Sequence, residues 1–177
     1  MNDAPLDPAL IGIWLLPGQP QTYEITEDGK YHFAEPEEPV NFSEDGATMI
    51  WGGRVYHRSG TGGETPVGTW REHDTGDGWD FTEDHGLTIL TADPGQDRAF
   101  VGIWALRDDG QSLWVRETHA NLETDGAHLT YHMSTGEVFR YGYSVSNGIL
   151  TLMDPETWAE LTRYVSATRL QQSFATG

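Results

Sequence analysis

Residues 127–153 read AHLTYHMSTGEVFRYGYSVSNGILTLM, and their pattern decides the fold. Leu129, Tyr131 and Met133 alternate with His128, Thr130 and His132. After Ser134-Thr135-Gly136, the residues Phe139, Tyr141, Tyr143 and Val145 alternate with Val138, Arg140, Gly142 and Ser144. Ser146-Asn147-Gly148 then leads into a third apolar run, Ile149–Met153. Period-two alternation puts successive side chains on opposite faces of a strand. Asn-Gly supplies the positive φ angles that a tight hairpin requires. Three strands joined by two hairpins make an antiparallel meander.

The same pattern extends toward both termini. Strands are expected over Leu10–Leu16, Thr22–Thr26, Lys30–Glu35, Thr48–Trp51, Arg54–Arg58, Val67–Glu72, Trp79–Glu83 and Leu87–Thr91. Further strands are expected over Arg98–Leu106, Ser112–His119 and Trp158–Val165. Glu27-Asp28-Gly29, Glu44-Asp45-Gly46, Asp84-His85-Gly86, Asp108-Asp109-Gly110 and Thr124-Asp125-Gly126 punctuate them as turns. No window of a dozen residues carries helical spacing, and 21 Gly and nine Pro interrupt the chain. Glu35-Pro36-Glu37-Glu38-Pro39 reads as an extended, solvated connection.

A repeat underlies the meander. Gly12-Ile13-Trp14 recurs as Gly68-Thr69-Trp70 and as Gly102-Ile103-Trp104. The first two copies align over a further hairpin at a shift of 56: Tyr23 with Trp79, Ile25 with Phe81, Thr26-Glu27-Asp28 with Thr82-Glu83-Asp84, and Phe33 with Ile89. The expected architecture is all-β, an antiparallel up-and-down meander built from repeated hairpin units and closing into a β-barrel. It is read as one domain over 1–177. Ser59–Thr65 (SGTGGET), near 59–66, is the natural boundary if the chain instead forms two smaller β units.

Composition narrows the function. The 177 residues hold ten basic and 28 acidic side chains, a net charge of −18. A nucleic-acid partner needs a basic stripe that displaces counterions, and an anionic membrane surface needs the same; neither is expected as a partner. Zero cysteines exclude disulfides, thiolate zinc sites and iron–sulfur clusters. MNDAPLDPALIG lacks the basic-then-apolar order of a secretory leader, and Leu10–Leu16 is too short to span a bilayer, so a soluble cytoplasmic protein is expected. Seven Trp and seven Tyr provide much of the buriable area.

The Gly-x-Trp strand starts, the hairpin meander and a late Arg in Leu161-Thr162-Arg163-Tyr164 together resemble the calycin superfamily, which holds the lipocalins and the streptavidin-like barrels. The resemblance implies a Trp at the closed end of the barrel with an Arg packed over it. Trp14, Trp70 or Trp104 would take the Trp role, and Arg163 or Arg58 the Arg role. It also implies that the interior serves as a small-molecule cavity. Three Gly-x-Trp copies rather than one, no disulfide and no clear C-terminal helix depart from the family pattern.

The candidate ligand-binding residues come from three neighbouring strands: Trp114 and Arg116, then His128, Tyr131 and His132, then Phe139, Arg140, Tyr141 and Tyr143. One face of this sheet is aromatic and the other carries His and Arg. If the first lines the cavity, phenols orient a largely apolar ligand; if the second does, polar or anionic ligands fit. His128 and His132 share a face but lie about 13 Å apart at strand rise, too far to ligate one metal, and no metal or cofactor is expected. The leading function is binding of a small, largely apolar or aromatic molecule. The alternative is a cofactor-independent isomerase or cyclase in the same cavity, since such chemistry leaves little motif trace. A protein-interaction module working through exposed strand edges is a third reading.

Overall fold

A computed structural model describes residues 6–93 and 100–170. The chain is all-β. Fifteen strands account for 56% of the described residues, so no helical layer is available to cover a sheet face. They are β1 (Gly12–Leu15), β2 (Thr22–Ile25), β3 (Lys30–Ala34), β4 (Glu38–Phe42), β5 (Thr48–Trp51), β6 (Arg54–Ser59), β7 (Gly68–Glu72), β8 (Gly78–Phe81), β9 (Gly86–Leu90) and β10 (Val101–Arg107), then β11 (Ser112–Thr124), β12 (His128–Met133), β13 (Val138–Ser146), β14 (Ile149–Met153) and β15 (Glu160–Ser166). Among the described residues, no helix is long and apolar enough to cross a membrane. Arg98 and Ala99, the start of the expected Arg98–Leu106 strand, lie outside the described residues.

The chain divides into two compact units, residues 1–34 with 118–177, and residues 35–117. In the first, the pairing order is β11–β12–β13–β14–β15–β1–β2–β3, and β3 pairs again with β11. These eight strands form a partial ring. Its core is built on Leu10, Trp14, Ile25, Leu122, Leu129 and Leu150. In the second unit the order is β10–β9–β8–β7–β6–β5–β4–β11, and β10 likewise pairs with β11. That core is richer in indole: Trp51, Trp70 and Trp104 are buried with Met49, Phe81 and Leu113, and Trp79 packs against them.

The 56-residue correspondence holds in register. Gly12 and Trp14 face Ile25 and Tyr23, as Gly68 and Trp70 face Phe81 and Trp79. Trp14 Nε1 donates to Leu10 O at 2.8 Å, and Trp70 Nε1 donates to Pro66 O at 2.6 Å, the same four-residue step back. Both indoles are buried, at 3% and 0% exposure. The turns match too. Thr26 N–H donates to Lys30 O and Gly29 N–H to Thr26 O, as Thr82 N–H donates to Gly86 O and His85 N–H to Thr82 O. The Thr26 and Thr82 hydroxyls bond Asp28 and Asp84. A third turn, Ser43–Gly46, repeats the arrangement, with Ser43 Oγ donating to Asp45 at 2.6 Å. The position held by Gly29 and Gly46 requires positive φ, and His85 adopts it at 65°.

One expectation needs correction. The Glu35–Pro39 connection is in part a strand: β4 begins at Glu38 and pairs with β5 and β11. Pro39 is tolerated because it stands near the strand's start, where its carbonyl accepts from Gly52 N–H. Ser59–Thr65 connects β6 to β7 inside the second unit and is held by Arg58. The Arg58 guanidinium donates to Gly63 O at 2.9 Å, Thr65 O at 2.7 Å, Gly46 O at 2.7 Å and Val67 O, and lies 4.2 Å over the Trp70 ring. Arg163, by contrast, is exposed and pairs with Glu160.

Candidate functional site

In the first unit, alternation along β12 and β13 turns the aromatic face inward. Register sets Tyr131 beside Phe139 and Leu129 beside Tyr141. Leu129 and Tyr131 are buried, and Tyr141 and Tyr143 pack on the same core. β14 and β15 add Leu152 opposite Thr162, and Tyr164 opposite Leu150. β3 contributes Tyr31, and β11 contributes His119, whose ring stacks on Phe33 with centroids 5.3 Å apart.

Tyr31, Tyr131, Tyr141 and Tyr164 converge with His119 and Phe139 on a concave opening of about 470 Å³. Met133, Leu152, Leu161 and Thr162 complete its wall. Phe139 and Leu161 are 41% and 56% exposed, which makes an apolar rim. The phenol rings brace one another edge to face: Tyr31 on Tyr131 at 5.2 Å and 85°, Tyr131 on Tyr141 at 5.6 Å and 87°. Burial, followed by neighbouring phenols, pushes the pKa of Tyr31 and of Tyr131 up, so both hydroxyls stay protonated and act as donors. The Tyr31 and Tyr164 hydroxyls interact with each other. Tyr131 is 7% exposed.

Of the residues named from sequence, Tyr131, Phe139 and Tyr141 meet at this opening. Tyr143 is half-buried against the same core, outside the opening, and donates to Asp7 at 2.9 Å; burial and then the Asp7 carboxylate push its pKa up to about 12. His128, His132 and Arg140 occupy the opposite face. There His128 N–H donates to Asp125 Oδ1 at 2.9 Å, and Arg140 Nη2 donates to Asp125 Oδ2 at 2.5 Å. His132 Nε2 lies 3.3 Å from a Glu123 carboxylate oxygen. Trp158 lies against His128 with centroids 5.4 Å apart and closes over Gly142, where a Cβ would stand 2.7 Å from the indole. Trp114 and Arg116 belong to the second unit, where the Arg107 guanidinium lies 4.9 Å over the Trp114 ring.

Tyr31, His119 and Tyr164 are not among the ligand-binding candidates read from the sequence. Their signal was present: Tyr31 alternates with His32 in a strand that pairs Ile25 with Tyr31, and Tyr164 follows the run Leu161-Thr162-Arg163. Only closure of the pairing order brings these strands to β12 and β13. No protein-family model matches this chain, and no curated protein or solved structure matches it significantly. The functional reading therefore rests on the residues themselves.

The outer cluster makes a pH prediction. The His128 backbone N–H first, and then the Arg140 guanidinium, hold the Asp125 carboxyl down to about 2. A depressed carboxyl pKa contributes stability present above the ordinary value of 3.8 and lost as pH falls toward about 2. A carboxyl-carbon NMR titration is expected to place the Asp125 midpoint near 2. A midpoint at the ordinary value means that the His128 and Arg140 contacts do not form in solution.

Proposed function

We propose that the first unit is a calycin-like β-barrel that binds a small, largely apolar or aromatic molecule in the opening lined by Tyr31, Tyr131, Tyr141 and Tyr164. The observation that carries this reading is the combination of about 470 Å³ of open volume with an almost wholly aromatic and apolar wall. That volume falls within the usual range of small-molecule sites, and a few convergent polar tips are what such sites use to orient a ligand. In the second unit, Arg58 over Trp70 at 4.2 Å, at a Gly-x-Trp strand start, has the Trp–Arg arrangement that the calycin resemblance implies, and the first unit shares its Gly-x-Trp start at Trp14. The return of each pairing order to β11 supports the calycin-like reading of the architecture. The binding mechanism is desolvation of an apolar ligand against phenol and Phe139 rings, with a phenol hydroxyl fixing one polar atom.

The test is a fluorescent apolar probe titrated into the full chain. Saturable binding is expected, and Tyr141→Ala is expected to weaken it by about tenfold or more, because one ring of contact area is removed. Circular dichroism of the variant should show an unchanged strand signal. Absence of saturable binding, or binding indifferent to Tyr141→Ala, overturns the proposal.

A further inference from the structure

We propose that this opening is an aromatic cage for an organic cation whose charge is sheathed in methyl or methylene groups, such as a quaternary ammonium. The ligand class rests on the small-molecule reading above and narrows it.

The rings carry the assignment. Tyr31, Tyr131, Tyr141, Tyr164 and Phe139 line the opening, and His119 adds an imidazole stacked on Phe33. Tyr131 stands at 85° to Tyr31 and at 87° to Tyr141, with centroids 5.2 Å and 5.6 Å apart. Two rings that meet at a right angle bound a corner with a π face on each side. Such a face carries the negative part of the ring quadrupole and attracts a cation within about 6 Å of the centroid. Rings this closely spaced let one cation engage more than one of them. Burial keeps the Tyr31 and Tyr131 phenols protonated, so they act through their faces and not as phenolates.

The rest of the wall selects among ions. A primary ammonium is strongly hydrated and needs several acceptors, and among the described residues the wall offers no carboxylate. A quaternary nitrogen has no N–H to satisfy, and its methyl surface is readily desolvated against Met133, Leu152 and the rings. The wall likewise offers no guanidinium or ammonium, so an anionic ligand would shed its water without a partner.

Charge at longer range points the same way. The chain carries a net charge of −18, and the unit that holds the opening has eleven acidic and four basic side chains over residues 1–34 and 118–177. A surplus of this sign raises the local concentration of cations and repels anions. Salt screens that field over about 10 Å at 0.1 M, whereas contact with a ring face is short-ranged. Ionic strength therefore separates attraction by the field from recognition by the cage.

The experiment titrates three probes of one shape into the intact chain by calorimetry: 4-(hydroxymethyl)phenyltrimethylammonium, 4-tert-butylbenzyl alcohol and 4-tert-butylbenzoate. The first two differ in whether a cationic nitrogen or a carbon carries the three methyls. The cation is expected to bind about tenfold tighter than the alcohol, and the benzoate more weakly than either. Raising NaCl from about 20 mM to about 0.5 M is expected to erode the preference by no more than about threefold. Tyr141→Leu keeps apolar bulk and removes one ring. It is expected to lower cation affinity about fivefold while leaving the alcohol within about twofold. Equal affinity for the cation and its carbon isostere, tighter binding of the benzoate, a preference abolished by salt, or a Tyr141→Leu loss shared equally by both probes overturns this inference. The comparison in the unmodified chain decides the matter even if the variant folds poorly. If the alcohol binds and only the preference is missing, the cage assignment fails alone. If no probe binds, the small-molecule reading fails with it.

Discussion

Trp70→Ala is expected to destabilise the chain by about 3–5 kcal/mol, the usual cost of emptying a large aromatic site in a core. The residue is fully buried, so no solvent offsets the lost contacts. Phe42 packs on it with ring centroids 6.0 Å apart, and the Arg58 guanidinium lies 4.2 Å over the ring. Removing the indole also leaves Pro66 O without the donor it holds at 2.6 Å. Trp14→Ala should cost a similar amount in the first unit, because its burial and its bond to Leu10 O repeat the arrangement. Chemical denaturation measures the loss. Hydrogen exchange should report Trp70→Ala chiefly as lost protection within residues 35–117, since that unit has its own core. A loss under about 1 kcal/mol would mean that the indole is dispensable and the repeat carries no packing role.

This duplicated Trp also shows how far the sequence could be read. Hairpins were legible because alternation and Asp-Gly or Asn-Gly turns are local signals. Even there, the mixed charge and proline content of Glu35–Pro39 concealed β4, whose strand character comes from pairing with β5 and β11. The aromatic face of β12 and β13 was legible for the same local reason, which is why Tyr131, Phe139 and Tyr141 were found. Trp114 and Arg116 are grouped with them in the sequence because Ser112–His119 reads as the strand that precedes β12. The residues of β11 are in fact divided between the units, with inward positions Leu113, Val115 and Glu117 in one and Ala120 and Leu122 in the other. Tyr31 and Tyr164 depend on ring closure, a long-range property that no local window carries. The 56-residue alignment hints at their role. Tyr31 falls opposite Leu87, and Tyr23 opposite Trp79, so the second unit places larger or purely apolar groups where the first places phenols.

Arg58→Met is expected to cost about 2–3 kcal/mol, a figure already reduced for the partial solvent access of the side chain. The glycines of SGTGGET, the natural boundary if the chain formed two smaller units, serve Arg58. A Cβ at Gly62 or at Gly68 would overlap the Arg58 guanidinium, so glycine permits the close approach that lets one planar fork collect four carbonyls. Those carbonyls come from the Ser43–Gly46 turn, the β6–β7 connection and the residue before Gly68. Desolvation lowers the Arg58 pKa, and among the described residues backbone carbonyls and the Trp70 ring hold the charge. Arg58→Lys should therefore rescue little, because an ammonium is a point charge and cannot span the same set. Met keeps the apolar stem and removes the fork, which isolates the polar term. In a double-mutant cycle, Arg58→Met and Trp70→Ala are expected to couple by more than about 0.5 kcal/mol, since each removes the other's partner. Strict additivity would show that the two groups touch without cooperating. In that case the glycine-rich connection should keep its hydrogen-exchange protection in Arg58→Met, and the account of why SGTGGET is ordered would fall.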